Sequence, residues 1–266
     1  MSEPRIMVLC GRSPRHLYVA NRLCESSNVI AIVHEAPARW TWEKLKRNLK
    51  PRVFFRKSWR WLRDRKRYTG NPEAKFFFGE EPPRLEHPEL VHEVPEVSST
   101  EMLLLAERLK PDLVCVFGTS LIKGELLERF TLINLHGGLS PEYRGADCTF
   151  WALYNGEPEK VGCTLHFIDA GIDTGRLIAH VSPEVRPDDD ELTLFWRAVW
   201  ESADVYAEAA RRIHHGELKG ATQSGRGHLY QVKERLAKHE KRLDAMLAEG
   251  MLLDVHLDKR ITWFDG

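Results

Sequence analysis

Ile6, Met7, Val8 and Leu9 are consecutive and apolar, the pattern of a short strand buried on both faces. A Gly11-Arg12-Ser13-Pro14 turn follows, and then His16 to Cys24 reads as a helix with Leu17, Ala20 and Leu23 on one side. Asn28 to Val33 is a second apolar, β-branched run. Strand, helix and strand within about thirty residues form the βαβ unit of a parallel sheet. This opening constrains the fold more than any other stretch.

The alternation continues downstream. Ser98 followed by Glu101 predicts a capping box and a helix to about Leu109. Asp112–Phe117 and Leu132–His136 read as strands, with a short helix near Gly124–Arg129 between them. Cys148–Asn155 reads as a helix, Gly162–Ile168 as a strand, and Thr193–His214 as a long helix with Leu194, Ala198, Val205, Ala209 and Ile213 at apolar positions. Tyr68–Pro95 reads as an irregular crossing and Lys219–Gly227 as a linker. A last helix, Val232–Glu249, should turn Leu236, Leu243 and Leu247 inward and stop at Gly250.

Composition excludes several classes. The chain has 266 residues, 42% of them hydrophobic, enough for a full core without disulfides or a structural metal. Its 39 basic and 39 acidic residues balance, which argues against a globally basic nucleic-acid binder, and no DNA partner is expected. No apolar run approaches the ~18 residues of a membrane span. Met1-Ser2-Glu3-Pro4 does not read as a secretory leader. Cys10, Cys24, Cys115, Cys148 and Cys163 are scattered with no CxxC pair, so no zinc site is expected. These features predict a reduced, cytoplasmic protein.

Arg39–Arg67 stands apart. It holds thirteen Lys/Arg against Glu43 and Asp64, a net charge of +11, so the remainder carries −11. Four of the eight tryptophans (Trp40, Trp42, Trp59, Trp61) lie here. Pro51 should divide two short helices, with Trp42, Leu45 and Leu49 on one stripe and Phe55, Trp59 and Leu62 on another. Three readings stand: a solvated insertion whose tryptophans pack on the core, a site for an anionic or nucleotide-diphosphate substrate, and a contact with a membrane surface.

Asn134-Leu-His-Gly-Gly-Leu-Ser-Pro-Glu-Tyr-Arg-Gly and Asp169-Ala-Gly-Ile-Asp-Thr-Gly carry the chemistry. Asn134 and His136, two apart at a strand end, point to one face. Gly137 and Gly138 permit a sharp turn and close approach of a ligand to the backbone. The carboxyl ends of parallel strands are where ligands bind, and Asp173, just after the next strand, can arrive at the same edge. Amide, imidazole and carboxylate together suit acyl transfer to an amine: the amide donates to an oxyanion, the imidazole handles the proton, and the carboxylate supports its charged form. None is an activated nucleophile, so direct transfer without a covalent enzyme intermediate follows. On spacing alone the same residues also read as turn and cap features.

Together these two segments closely resemble the formyltransferases that use 10-formyltetrahydrofolate. The resemblance runs from about Ser98 to His214, with a weaker echo in the first βαβ unit. It implies an α/β fold: a Rossmann-like formyltransferase core with a mostly parallel sheet, a helical insertion and a short C-terminal extension. The core would span residues 1–216, including the basic Trp-rich helical insertion at 39–67, and the extension residues 217–266. The family's catalytic Asn, His and Asp fall on Asn134, His136 and Asp173, which implies that Asn134 and His136 stabilise the tetrahedral oxyanion and that His136, aided by Asp173, handles the proton leaving the amine. Its folate loops fall on Phe117, Gly118, Thr119 and Ser120, on Leu139, Ser140 and Pro141, and on Ile168, Asp169, Ala170, Gly171 and Ile172. The co-substrate implied is 10-formyltetrahydrofolate, and no metal is implied.

Departures from the pattern narrow the choice. Methionyl-tRNA formyltransferases carry a C-terminal barrel of roughly a hundred residues, whereas only about fifty residues follow the long helix here. The glycinamide ribonucleotide enzyme opens with a Gly-rich phosphate loop, where this chain has Gly11-Arg-Ser-Pro-Arg-His. The regulatory domain of formyltetrahydrofolate hydrolases is not seen. Stand-alone sugar N-formyltransferases, which modify nucleotide-linked amino sugars for surface polysaccharides, remain the most similar. Another amine acceptor or a non-catalytic folate-binding module stays open, as does a homodimer. Tyr143, Arg144, Trp151 and Tyr154 are candidates for sugar binding, against a reading in which Trp151 packs in the core and Arg144 pairs with a carboxylate. His166, His180 and His214-His215 read as structural or solvated. Asp188–Glu191 reads as acids matched to a helix N-terminus rather than a metal site. Cys148 and Cys163 read as small core residues.

Overall fold

Five parallel strands and three antiparallel ones make a single eight-stranded sheet. A computed structural model describes residues 3–37, 42, 51–225 and 227–265. In chain order its elements are β1 (Arg5–Cys10), α1 (Pro14–Ser26), β2 (Asn28–Glu35), α2 (Pro51–Arg67), α3 (Pro72–Phe78), β3 (Val91–Val94), α4 (Thr100–Leu109), β4 (Leu113–Phe117), α5 (Glu125–Arg129), β5 (Leu132–His136) and β6 (Tyr143–Gly145). Then come α6 (Cys148–Tyr154), β7 (Cys163–Phe167), β8 (Leu177–Ser182), α7 (Glu191–His214), β9 (His228–Tyr230), α8 (Ala237–Ala248) and β10 (Arg260–Trp263). The sheet order is β10-β8-β7-β5-β4-β1-β2-β3. Strands β3 to β5 through β1 run parallel, while β7, β8 and β10 alternate in direction.

Strand β1 explains the layering. Its successive side chains point to opposite faces. Ile6 and Val8 enter a core with Val19, Leu23 and the α7 residues Val199 and Tyr206, while Met7 and Leu9 enter a second core with Met102 and Leu105 of α4. Helices therefore cover both faces, as a parallel sheet requires. The chain winds outward from β1 through β2 to β3, then returns to β4 and β5 on the other side. The carboxyl ends of β1 and β4 flank this reversal, where an open α/β sheet leaves a ligand crevice.

The structure departs from the sequence expectations at identifiable places. The crossing at Tyr68–Pro95 contains α3 and edge strand β3. Helix α4 is capped by Ser99, whose Oγ accepts from Met102 N–H; Ser98 Oγ instead accepts from Lys123 N–H at 2.9 Å. The last helix starts at Ala237, with Leu243 buried, Leu247 partly buried, and Leu236 exposed at the N-cap. The described residues of 217–265 hold two strands besides that helix: β9 pairs with β6, and β10 adds to the sheet edge beside β8. These strands are three and four residues long, too short for alternation to announce them. Of the basic segment, residues 39–41 and 43–50, including Trp40, Leu45 and Leu49, lie outside the described residues. Pro51 occupies the first position of α2, where its missing N–H costs nothing. Trp61 does not pack on the core; it is exposed, as is Trp42.

Candidate active site

Asn134 and His136 project from the carboxyl-terminal part of β5 into one cleft. Beside them, β7 sets His166 opposite Asn134 and Thr164 opposite His136. Strand β7 runs antiparallel to β5, so the chain leaves it at Phe167 heading away from His136. Asp173 therefore does not arrive by a strand end; it returns through a folded-back loop. Asp169 Oδ1 accepts from Gly171 N–H at 3.0 Å and from Thr174 Oγ1 at 2.6 Å. Gln223 Nε2 donates to the carbonyls of Asp173 (2.9 Å) and Gly175 (2.7 Å). A Cβ on Gly175 would lie 1.7 Å from the Phe167 carbonyl oxygen, so only glycine lets the loop double back.

The result is a four-residue cluster. Asp173 Oδ2 lies 3.4 Å from His136 Nδ1, and its Oδ1 lies 3.5 Å from His166 Nε2. Gly145 N–H donates to Asp173 Oδ2 at 2.9 Å. His136 Nε2–H donates to the Tyr143 carbonyl at 3.0 Å, which leaves the Nδ1 lone pair facing Asp173 and the cleft. His166 Nδ1–H donates to the Phe167 carbonyl at 2.8 Å, and its Nε2 accepts from Asn134 Nδ2 at 3.1 Å. The second hydrogen of that amide is left for another acceptor. His166, read from the sequence as structural, is the buried link between Asn134 and Asp173; its place opposite Asn134 depends on β7 pairing with β5.

Burial lowers the His136 pKa, and Asp173 only partly offsets it, so the imidazole is neutral near pH 7. Burial pushes the Asp173 carboxyl up, but the neighbouring His166 and His136 imidazoles and the Gly145 N–H outweigh it and hold the group at about 2. A neutral base beside a fixed anion is ready to take a proton. Cys148 Sγ lies 3.6 Å from His136 Nε2, yet burial raises its thiol well above the usual range, leaving it protonated and inert.

His136, Gly137, Gly145, Arg15 and Phe195 stand where two cavities meet. The first, about 430 Å³, has Phe117, Gly118, Thr119 and Ile122 on one wall and Ile168, Gly171 and Ile172 on the other. Its apolar walls, edged by the backbone of two loops, suit a flat heteroaromatic ring. Gly118 has φ +73°, and a Cβ there would meet His16 Nε2 at 2.1 Å. Asp169 and Ala170 do not line this cavity; both are exposed, and Asp169 is the loop's internal tie. Leu139, Ser140 and Pro141 do not line the cleft: Ser140 is fully buried, its N–H donating to Thr164 Oγ1 and its carbonyl accepting from His180 Nε2. Gly137 and Gly138 provide space rather than an unusual backbone: a Cβ on Gly138 would meet Cys148 Cβ at 2.5 Å, and one on Gly137 the Phe195 ring at 2.7 Å.

The second cavity, about 290 Å³, is charged. Arg235, 2% exposed, gives two hydrogen bonds to Glu191 (2.7 and 2.8 Å), one to Asp147 (3.1 Å) and one to Glu240. Its guanidinium stacks on Phe150, 3.9 Å from the ring centroid. Arg67 reaches Glu191 at 2.6 Å and Arg63 reaches Glu240 at 2.8 Å. The acids at the start of α7 divide their roles: Asp190 caps the helix, Asp189 pairs with Arg197, and Glu191 faces the cavity. None of Tyr143, Arg144, Trp151 and Tyr154 lines either cavity. Tyr143 and Trp151 both stack on Tyr230, Tyr154 stacks on Phe150, and Arg144 donates to the Gly227 carbonyl at 3.4 Å. Helix α6 turns Trp151 and Tyr154, and β6 turns Tyr143, into the core shared with α7 and α8. At the start of α1, the Arg15 N–H and guanidinium both donate to buried Glu73, so the chain's own carboxylate fills that helix end.

A sheet covered on both faces, with a ligand crevice at the strand reversal and an Asn–His–His–Asp cluster beside it, defines an α/β protein with its chemistry at the carboxyl edge. Residues 25–209 match the formyl transferase family, and the chain belongs to it. It is 34% identical over 125 residues to the methionyl-tRNA formyltransferase of Chlorobium chlorochromatii, covering 46% of this chain and 40% of that one. The chain spans about two fifths of the length of the curated methionyl-tRNA formyltransferases it matches. The fold is shared with a sugar N-formyltransferase from Shewanella sp. (TM-score 0.58, 14% identity, 90% of this chain and 86% of that one). It is also shared with a glycinamide ribonucleotide transformylase from Symbiobacterium toebii (TM-score 0.55, 22% identity, 85% and 92%).

Proposed function

We propose that the protein moves a formyl group from 10-formyltetrahydrofolate to the amine of a nucleotide-linked amino sugar. One observation carries this reading: His136 stands on the boundary between a largely apolar slot, whose charged lining residues are Arg15 and Asp173, and a small, charge-lined chamber. The slot between residues 117–122 and 168–172 suits the pterin ring. The chamber, about 290 Å³, is the size of a sugar ring with its substituents rather than an open face for a macromolecule. Its paired carboxylates and guanidiniums offer acceptors and donors to hydroxyls and an amine.

Asn134 would donate its remaining N–H to the formyl oxygen as that atom gains negative charge. As the amine nitrogen bonds to the formyl carbon, His136 Nδ1 takes the amine proton, and Asp173 stabilises the imidazolium. Breakage of the bond to the folate nitrogen then returns one proton to that nitrogen. No covalent enzyme intermediate is required.

The test is a panel of nucleotide-linked amino sugars incubated with 10-formyltetrahydrofolate and scored by mass spectrometry for a formyl gain. Gain on one of them supports the proposal. The methionyl-tRNA reading is favoured by the names of the curated relatives; formylation of methionyl-tRNA with salt-dependent binding, and none of any sugar, would establish that reading instead. Tight folate binding with no transfer to any amine would identify a binding module.

A further inference from the structure

Helix α2 is inside-out. At 100° per residue, Phe54, Phe55, Trp61 and Leu62 share one sector with Arg65 and Lys66, and Arg60, Arg63 and Arg67 share the opposite one. A helix resting on a protein normally buries the first set and exposes the second. Here Phe54 is 52% exposed, Phe55 71%, Trp61 59% and Leu62 59%. Arg63 and Arg67 are turned inward and tied to Glu240 and Glu191. The cations fasten the helix to the protein and the hydrophobes face outward.

The outward sector is also free of acids. Its cations are Arg65 and Lys66, both exposed, and the Arg65 guanidinium lies over the Trp61 ring at 5.3 Å. The helix's one acid, Asp64, is held by Arg63 at 2.6 Å. Charge therefore selects the occupant. A second copy of the chain, meeting this face about a two-fold axis, would set Arg65 and Lys66 against the same residues and their like charges. An anionic bilayer accepts both parts of the face: aromatic and aliphatic side chains at the headgroup–acyl boundary, and guanidinium and ammonium on the phosphates.

We propose that α2 is a docking helix for an anionic lipid surface, with Phe54, Phe55, Trp61 and Leu62 entering the interface and Arg65 and Lys66 pairing with headgroups. Because Arg63 and Arg67 on its inner side wall the charged chamber, docking holds that chamber beside the membrane. The inference stands whatever the acceptor amine is.

Co-sedimentation of the full chain tests it, using vesicles of phosphatidylcholine alone and of phosphatidylcholine with an equal part of phosphatidylglycerol. The protein should pellet with the mixed vesicles, stay in solution with the neutral ones, and be released by salt. Arg65→Ser with Lys66→Ser should weaken partition about thirtyfold, roughly fivefold per charge. Removing the same number of charges from the C-terminal end of α4 and its cap, by Arg108→Ser with Lys110→Ser, should leave it unchanged. Phe54→Ser with Trp61→Ser should weaken it at least about tenfold without altering the circular dichroism spectrum. The proposal falls if the wild-type chain ignores phosphatidylglycerol, or if the Phe54/Trp61 pair can be replaced without loss. It falls equally if the chain dimerises in solution through these residues and binds no vesicle.

Discussion

The two cavities that meet at His136 are built in opposite ways. The slot draws on strand ends and the tight loops that follow them, and its walls are largely apolar, with the Asp173 carboxylate and Arg15 as its charged lining residues. The chamber draws on α2, α7 and the stretch before α8, and its charges are arranged in buried pairs. Arg67 and Glu191 are 124 residues apart, and Arg235 and Glu191 are 44 apart. On the slot side, chemistry depends on one neutral imidazole beside one ionised acid. On the chamber side, integrity depends on every ion keeping its partner, because a buried charge left alone is costly.

The largest effect should come from the shared boundary. His136→Asn or Asp173→Asn should reduce turnover by about 10³-fold while folate affinity, followed by fluorescence titration, stays near wild type; activity within tenfold of wild type in either variant would remove the assigned roles. Next, Arg235→Met should destabilise the fold by about 3 kcal/mol in urea denaturation, since Glu191, Glu240 and Asp147 lose their common partner. A loss under ~1 kcal/mol would mean that the chamber's acids are solvated rather than paired.

Acid should separate the two regions by pH. Burial, with the Arg15 and His34 charges, pushes the His16 imidazole down to about 3. The unfolded chain takes up this proton below its ordinary value of 6.5, so the stability cost begins there and grows as pH falls toward 3, by up to ~1.4 kcal/mol per unit. Burial raises the Glu240 carboxyl, but Arg235 and Arg63 outweigh it and set it below 4.5. Its contribution is therefore present above pH 4.5 and lost only below. Urea midpoints measured against pH should show the slot-side limb first, and His16→Gln should flatten it. An unchanged slope in that variant would assign the limb to other groups. The smallest effect is at the entrance: Glu73→Gln keeps an acceptor for the Arg15 N–H but removes the charge, and should cost about 1 kcal/mol. Thermal melts of the two proteins that coincide would show the pair to be worth nothing.

The same contrast governs what was legible in advance. The opening βαβ unit is written in runs of adjacent residues, and β1, α1 and β2 form where those runs lie. Asn134 and His136 share a face because strand side chains alternate, a property needing no tertiary information. Asp173 was recognisable by its place between glycines, although its route to His136 is a folded-back loop after an antiparallel strand. His166 reads as structural because a histidine alternating with Leu165 carries no sign of its neighbour on β5. Tyr143, Arg144, Trp151 and Tyr154 read as site residues by their nearness in sequence, yet packing against Tyr230 and Phe150 takes the three rings elsewhere and Arg144 meets the Gly227 carbonyl.

Sequence by itself determined the layered α/β architecture and the amide, imidazole and carboxylate of the cluster, because periodicity and glycine spacing act over a few residues. Tertiary structure alone decided the direction of β7, the convergence of Arg67, Glu191 and Arg235, and which side of α2 meets solvent. A hydrophobic stripe fixes that a helix is two-faced, but which face is buried follows from the partners that distant parts of the chain present to it.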